Sequence, residues 1–243
     1  MSTIGFGYGS QWHLLRYLGY RRRRLDEKVT RATGAGNVEW LDFRFSEQQQ
    51  GLDVELEGIK FLPKEVYQKV VADWQRFWPQ QGKAQNWDDV ARIQYANESQ
   101  EWLLVEAKAH VQELASPCRA KDKESGGLAK IRNALCETIK ATDATKSVED
   151  WLDGYYQYAN RLAFLHFLMR HDVPARLLFV YFCGDSFPPP PRNCPRTRED
   201  WEDPVLCKMY QHLGLSGGSE LEARTHSLFL SVCPDVVAAV PAP

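Results

Sequence analysis

The chain carries almost no net charge. Thirty Lys and Arg stand against 32 Asp and Glu in 243 residues, a formal balance of −2. No basic field surrounds the molecule as a whole, so binding to a polyanion would rest on a local patch. Cysteine is sparse and unpatterned: the 6 residues, at 118, 136, 183, 194, 207 and 233, include no CxxC pair. That argues against a zinc ribbon, offers no disulfide framework, and leaves reduced thiols as the expectation. Long hydrophobic runs are missing too. The longest stretches, 162–169 (broken by His166) and 177–183, fall far short of the roughly 20 residues of a membrane span. No basic segment followed by an apolar core opens the chain, so no signal peptide and a cytoplasmic location without a membrane partner are expected. Gly5 to Ser10 is glycine-rich ahead of a helix but lacks the lysine and the preceding strand of a phosphate-binding loop. His166 and His171 are five residues apart, a spacing that does not share a helix face, which argues against a histidine metal site. No internal repeat is present.

What is present reads as a globular α/β chain, with 44% apolar and 26% charged residues, long enough for one large domain or two small ones. Ser10 is placed to cap a helix running from Gln11 into the cluster Arg21 to Arg24, with 33–37 as its break. Residues 38–45 and 52–62 read as strands, paired as a hairpin. Pro63 opens a helix with an apolar stripe of Val66, Val70, Val71, Trp74 and Phe77, and Pro79 ends it. Strands follow at 87–95 and 101–109 around a turn at 97–100, then a polar loop at 116–127 and a helix at 128–141. One long helix is expected from about 145–149 to Arg170. The apolar strand 176–183 should be central to a sheet. Next come a proline-rich loop at 186–198, a helix at 199–213 and a last strand at 227–233. Because the 176–183 strand needs neighbours on both sides, residues 1–243 read as a single domain.

The chemistry is concentrated in Glu101-Trp102-Leu103-Leu104-Val105-Glu106-Ala107-Lys108. Side chains alternate along a strand, so Glu106 and Lys108 share one face, and Val105 and Ala107 share the other. Leu103 and Leu104 are both apolar, as in a strand buried on both faces. Charges at the end of such a strand are costly unless paired or bound to a metal. Asp88 and Asp89 lie upstream, separated from Glu106 by room for a hairpin. On the later long helix, Gln157, Asn160 and Arg161 share one face.

An Asp followed by Glu-x-Lys on adjacent strands resembles the PD-(D/E)xK nuclease superfamily, and the likeness covers about residues 63–184. It implies a restriction-endonuclease-like core, an α/β fold with a central mixed β-sheet flanked by helices in the order αβββαβ, here with N- and C-terminal additions. One core strand is not placed: it falls between Pro79 and Trp87 or is supplied by 52–62. The resemblance implies metal-dependent hydrolysis of phosphodiester bonds in nucleic acid, DNA before RNA. Asp88 and Glu106 would bind Mg²⁺ or Mn²⁺ together with the Ala107 carbonyl. Lys108 would orient the attacking water or stabilise developing charge, and Gln157 would reach the site from the helix, with Asn160 and Arg161 behind it. Asp89 is a rival to Asp88; Val90 at the second position after Asp88 favours Asp88. A homodimer is a further implication, since related nucleases pair to cut both strands. The alternative is a catalytically silent protein of the same fold that binds nucleic acid or a partner. His110 and Glu113, just beyond Lys108, are either near the site or solvent-facing, the latter being the expectation. Arg21 to Arg24, with Tyr20, offer phosphates a clamp or form a solvated face balanced by Asp26 and Glu27; Arg192, Arg196 and Arg198 form a second, scattered patch. Ser10 to Arg24, Trp40 to Phe43 and the helix around Tyr156 to Leu165 also resemble parts of a family of uncharacterised bacterial proteins with a "WLLVEAKAH"-like strand.

Overall fold

The computed structural model describes residues 6–41, 56–80, 85–121 and 126–233. In chain order the elements are α1 (Ser10–Tyr20), α2 (Arg22–Thr33), β1 (Asn37–Trp40), β2 (Leu56–Glu57), α3 (Lys64–Phe77), β3 (Asn86–Trp87), β4 (Asp89–Gln94), β5 (Gln100–Lys108), α4 (Gly127–Ala141), α5 (Val148–Leu152), α6 (Tyr156–Arg170), β6 (Ala175–Cys183), α7 (Arg198–Trp201), α8 (Cys207–Leu213), α9 (Glu220–Ala223) and β7 (Thr225–Ser231). A π-helical turn, Glu202–Leu206, joins α7 to α8. The chain is thus α/β, and β1, β4, β5, β6 and β7 form, in that order, a five-stranded sheet. The first two pairings are antiparallel and the last two parallel, so the sheet is mixed.

Alternation along β5 and β6 divides the interior in two. Leu103, Val105, Ala107, Leu178, Val180 and Phe182 face α1 and α2, meeting Leu14, Tyr17, Leu25 and Val29. Leu104, Leu177, Phe179 and Tyr181 face the other way, onto a larger cluster built from α3–α9. α6 fills the centre of that cluster. Its sequence is apolar nearly all round, and Ala159 and the residues from Leu162 to Leu165 have no exposed surface, as expected of a helix packed on several sides. β6 has a neighbour on each side, as its unbroken apolar run requires. Among the described residues no helix is long and apolar enough to cross a membrane.

Four local expectations are corrected. The strands 38–45 and 52–62 do not pair with each other where described: β1 lies on β4, and the short β2 pairs with β3 before a turn at Gly58. Residues 42–45 and 52–55 lie outside the described residues. The place beside β4 is therefore taken by β1, a strand from before α3, rather than by either candidate for the missing core strand. Ser10 is not a cap: Gly9 holds that position at φ 89°, and the Ser10 hydroxyl donates to Glu113 instead. The first helix is two helices, because the chain kinks at Arg21 between α1 and α2; α2 then ends at Thr33, where the break was expected. The long helix is two helices, α5 and α6, divided at Gly154 with φ +68°. There the chain turns to give the Gly154 carbonyl to the Ser116 amide at 2.6 Å.

Candidate active site

β4 and β5 form the hairpin that positions the carboxylates. Val90 lies opposite Leu104 and Asp89 opposite Val105. Asp89 accordingly belongs to the face of Val105 and Ala107. It is 1% exposed, and its Oδ1 accepts the Val90 amide at 2.7 Å. Asp88 sits in the break between β3 and β4, on the Glu106 side. Its amide donates to the Val105 carbonyl at 3.1 Å, and its Oδ2 accepts the Ala107 amide at 2.7 Å. The carboxylate thereby replaces a main-chain acceptor at the point where the ladder ends. The amide and carbonyl of one strand residue point to the same side, so the Ala107 carbonyl is turned toward Asp88 as well.

Glu106 and Lys108 are buried, at 4% and 6% exposure. Lys108 Nζ donates to Glu106 Oε1, which also accepts from Gln157 Nε2 at 2.8 Å. Glu106 Oε2 accepts from Arg161 Nε at 2.9 Å and Nη2 at 2.7 Å. Gln157 and Arg161 are one helical turn apart at the start of α6, so one helix face delivers both. Asn160 does not reach Glu106; its Oδ1 accepts from Arg161 Nη1 at 3.2 Å. Arg161 Nη2 also donates to the Asn86 carbonyl at 2.7 Å, and the guanidinium lies 4.6 Å from the centre of the Trp87 ring. The main chain on either side of Trp87 is thus tied to the same cluster.

The electrostatics of the two carboxyls diverge. Burial, followed by the Glu106 charge, pushes the Asp88 carboxyl up to about 7. Burial also works to raise Glu106, but Arg161 and Lys108 outweigh it and hold that carboxyl below its ordinary value. Lys108 is held above its ordinary value: burial opposes its charge, while Glu106, Asp88 and Glu113 favour it more strongly. Glu106 is a fully hydrogen-bonded anion, whereas the Asp88 carboxyl takes up its proton near neutral pH.

That donor set suits a hard divalent ion, which prefers oxygen ligands and keeps several waters. Asp88, Glu106 and the Ala107 carbonyl would hold it. Among the described residues no group of three or more His, Cys, Asp or Glu side chains gathers to hold a metal.

No protein-family model, no curated protein and no solved structure matches this chain.

The arrangement therefore stands on its own geometry. Asp88, Glu106, Lys108 and Gln157 are brought together, and Asp89 is separated from them by the sheet. Arg161 is more central than its sequence position suggested; the one available signal was its spacing of four from Gln157. His110 and Glu113 are not solvent-facing. His110 is 7% exposed and its ring abuts Phe187 with centroids 4.7 Å apart. Glu113 accepts the Ala109 amide at 2.5 Å, the His110 amide at 3.3 Å and the Ser10 hydroxyl at 3.0 Å. This closes the turn beyond β5. A second buried pair, His13 Nε2 to Asp185 Oδ1 at 2.9 Å, carried no sequence signal, because its members are 172 positions apart. Arg21 to Arg24 lie where α1 meets α2, the helices that cover the opposite face of the sheet. Of their expected acidic partners, Glu27 pairs with Arg23, while Asp26 accepts from Trp40 Nε1. The second basic patch is dispersed: Arg192 lies close enough for its charge to act on His110, and Arg198 pairs with Glu202.

Proposed function

We propose that this chain is a metal-dependent phosphodiesterase that hydrolyses nucleic acid, DNA in the first instance, in the manner of the PD-(D/E)xK nucleases. The observation that carries this reading is the convergence of Asp88, Glu106, Lys108 and Gln157 on one face of the β4–β5 hairpin, with a buried ammonium beside two carboxylates of unequal basicity. Phosphodiester hydrolysis needs a water made nucleophilic and charge neutralised on the phosphoryl oxygens; a bound Mg²⁺ or Mn²⁺ supplies both. The protein's own groups do the rest. Asp88 presents a carboxylate fixed by the Ala107 amide. Gln157 and Arg161 hold the Glu106 carboxylate in a single orientation. Lys108 places a positive charge and hydrogen-bond donors where an attacking water or a developing phosphoryl charge would sit.

The test is cleavage of plasmid, single-stranded DNA and RNA with Mg²⁺ or Mn²⁺ by the wild type, Lys108→Ala and Glu106→Ala. Wild-type cleavage that falls about 10²-fold or more in K108A supports the reading, the scale of removing one donor to a developing charge. Cleavage by the wild type and both variants at equal rates would refute the site. No cleavage on any substrate would favour the non-catalytic alternative, a nuclease-like fold used only for binding.

A further inference from the structure

Charge is spread unevenly along this chain. The first 25 residues hold five arginines, no lysine and no Asp or Glu, a formal +5 in a molecule whose total is −2. The same stretch carries five aromatic residues, Phe6, Tyr8, Trp12, Tyr17 and Tyr20. α1 buries His13, Leu14, Tyr17 and Leu18. Trp12, Arg16 and Tyr20, spaced by four, form a row outside that buried stripe. Phe6 packs on Trp12 with ring centroids 5.0 Å apart, and Arg21 lies 5.7 Å from the centre of the Tyr17 ring. Phe6 and Tyr20 stand out in solvent, 87% and 91% exposed. Beyond them the Arg23 side chain is 94% exposed, and so is much of its partner Glu27. A pair so open to water is worth little and yields to a stronger anion.

α1 packs on the sheet face opposite Glu106, but it runs along the edge where the candidate site lies. At its start the Gly9 amide donates to Asp185 Oδ2 at 2.9 Å, just after β6, and the Ser10 hydroxyl donates to Glu113 Oε1 at 3.0 Å, just after β5. Further along, the Tyr17 hydroxyl donates to the Ser231 carbonyl at 2.9 Å and Arg16 Nη1 to the Val232 carbonyl at 3.4 Å, at the end of β7. β5, β6 and β7 are parallel, so all of these are C-terminal strand ends, as is Lys108. His110, two residues beyond Lys108, abuts Phe187, and Phe187 abuts Tyr8 with centroids 4.8 Å apart. Aromatic contacts thus continue from the end of β5 to the start of α1.

A single exposed ring is ordinary. Rings interleaved with arginines on a helix without a carboxylate match a strand of unpaired bases and phosphates: the rings stack on bases, and the guanidinium forks hold phosphates. A duplex keeps its bases stacked on one another and leaves the rings unused. A membrane fits less well, because an interfacial helix gives its apolar face to lipid, and Leu14, Tyr17 and Leu18 are spent on the sheet. We propose that the solvent side of α1, from Phe6 past the kink at Arg21 to Arg23, is a track for single-stranded nucleic acid that leads to the Lys108 end of β5. This rests on the hydrolytic reading above and names its substrate as a single strand.

The experiment is fluorescence anisotropy of the full chain, with EDTA present, on a short labelled DNA strand without self-complementarity. Its duplex, the RNA of the same sequence and an abasic strand of equal length and charge are compared with it, and phosphatidylserine vesicles are tested by co-sedimentation. The DNA or the RNA strand should bind about tenfold or more tighter than the duplex and the abasic strand, the scale of stacking a base or two. Phe6→Ala combined with Tyr20→Ala, at positions exposed enough to spare the fold, should weaken single-strand binding about fivefold or more and leave duplex binding unchanged. Arg23→Gln should flatten the slope of log affinity against log salt by about 0.7. Equal binding of the base-bearing and abasic strands, tighter binding of the duplex, full affinity in the F6A/Y20A variant, binding to vesicles alone, or no binding at all overturns the inference. Because EDTA removes any metal, the hydrolytic reading is judged separately. Tight single-strand binding without cleavage under any metal keeps the track and refutes that reading, and cleavage without a single-strand preference does the reverse.

Discussion

At the scale of single residues, strand register decides which of two adjacent aspartates lies on the Glu106 side. The cross-strand partner Val105 puts Asp89 with the α1–α2 side, while Asp88, in the bend before β4, turns its carboxylate to the Ala107 amide. The sequence favoured Asp88 only through Val90 two positions on, because the parity of a strand end is fixed by its register against a partner. A pH dependence follows from Asp88. Its carboxyl is pushed up to about 7 by burial and by Glu106, from an ordinary 3.8. Between those values the folded state binds the proton more firmly than the unfolded chain, so this group's contribution to stability falls as pH rises from about 4 to about 7. Asp88→Asn keeps an oxygen for the Ala107 amide and removes the charge. In metal-free protein it should exceed the wild type in stability by about 1–3 kcal/mol at pH 8 and match it near pH 4, read from urea midpoints. An advantage for D88N at pH 4 that vanishes at pH 8 would contradict the assigned environment.

At the scale of elements, the hairpin, the apolar β6 and the span of α4 were legible from alternation, turn residues and helical spacing. The division of α5 from α6 was not. Residues 148–170 keep a helical apolar pattern across the break, and only the positive φ of Gly154 together with the Ser116 strand bridge reveals the turn. The break has a consequence for the site: it starts α6 afresh at Tyr156, which brings Gln157 and Arg161 onto Glu106. Two glycines allow a graded test. A Cβ on Gly214, at φ +68°, would meet Thr145 Oγ1 at 2.6 Å and the Lys146 main-chain nitrogen at 2.8 Å. A Cβ on Gly154, at the same φ, would come no nearer than 3.2 Å to the His212 ring. Gly214→Ala should therefore cost about 2–4 kcal/mol and Gly154→Ala about 1–2 kcal/mol, measured by denaturant unfolding. G154A should also speed amide exchange at Ser116, whose hydrogen bond depends on that turn. The reverse order of the two costs would show that the loop after α8 yields more readily than the one before α6.

At the scale of the whole molecule, β5 and β6 belong to both hydrophobic clusters, so neither cluster has a complete wall without the other. Unfolding should be one cooperative event, with calorimetric and van't Hoff enthalpies in agreement; two resolved transitions would mean that the α1–α2 face separates from the rest. Phe164 is the centre of the larger cluster, edge-on to Trp74 at 4.8 Å and to Trp87 at 4.9 Å. Phe164→Ala should lower stability by about 3–5 kcal/mol. Because Trp87 adjoins Asp88, the near-ultraviolet tryptophan signal of F164A should change even under conditions where the variant is still folded.

The sequence by itself determined the class of the chain: an apolar strand ending in Glu-x-Lys, a hairpin back to an aspartate, and a second apolar strand that needs partners on both sides. These are local properties, set by the alternation of side chains along a strand and by the turn residues between strands. Only the tertiary structure decided which aspartate joins Glu106, that β1 rather than a later segment lies against β4, and that Arg161 closes over the second oxygen of Glu106. Each depends on contacts between segments far apart in the chain, 55 positions in the case of Arg161 and Glu106. Packing and the pairing of buried charge select those contacts, and no local pattern encodes them.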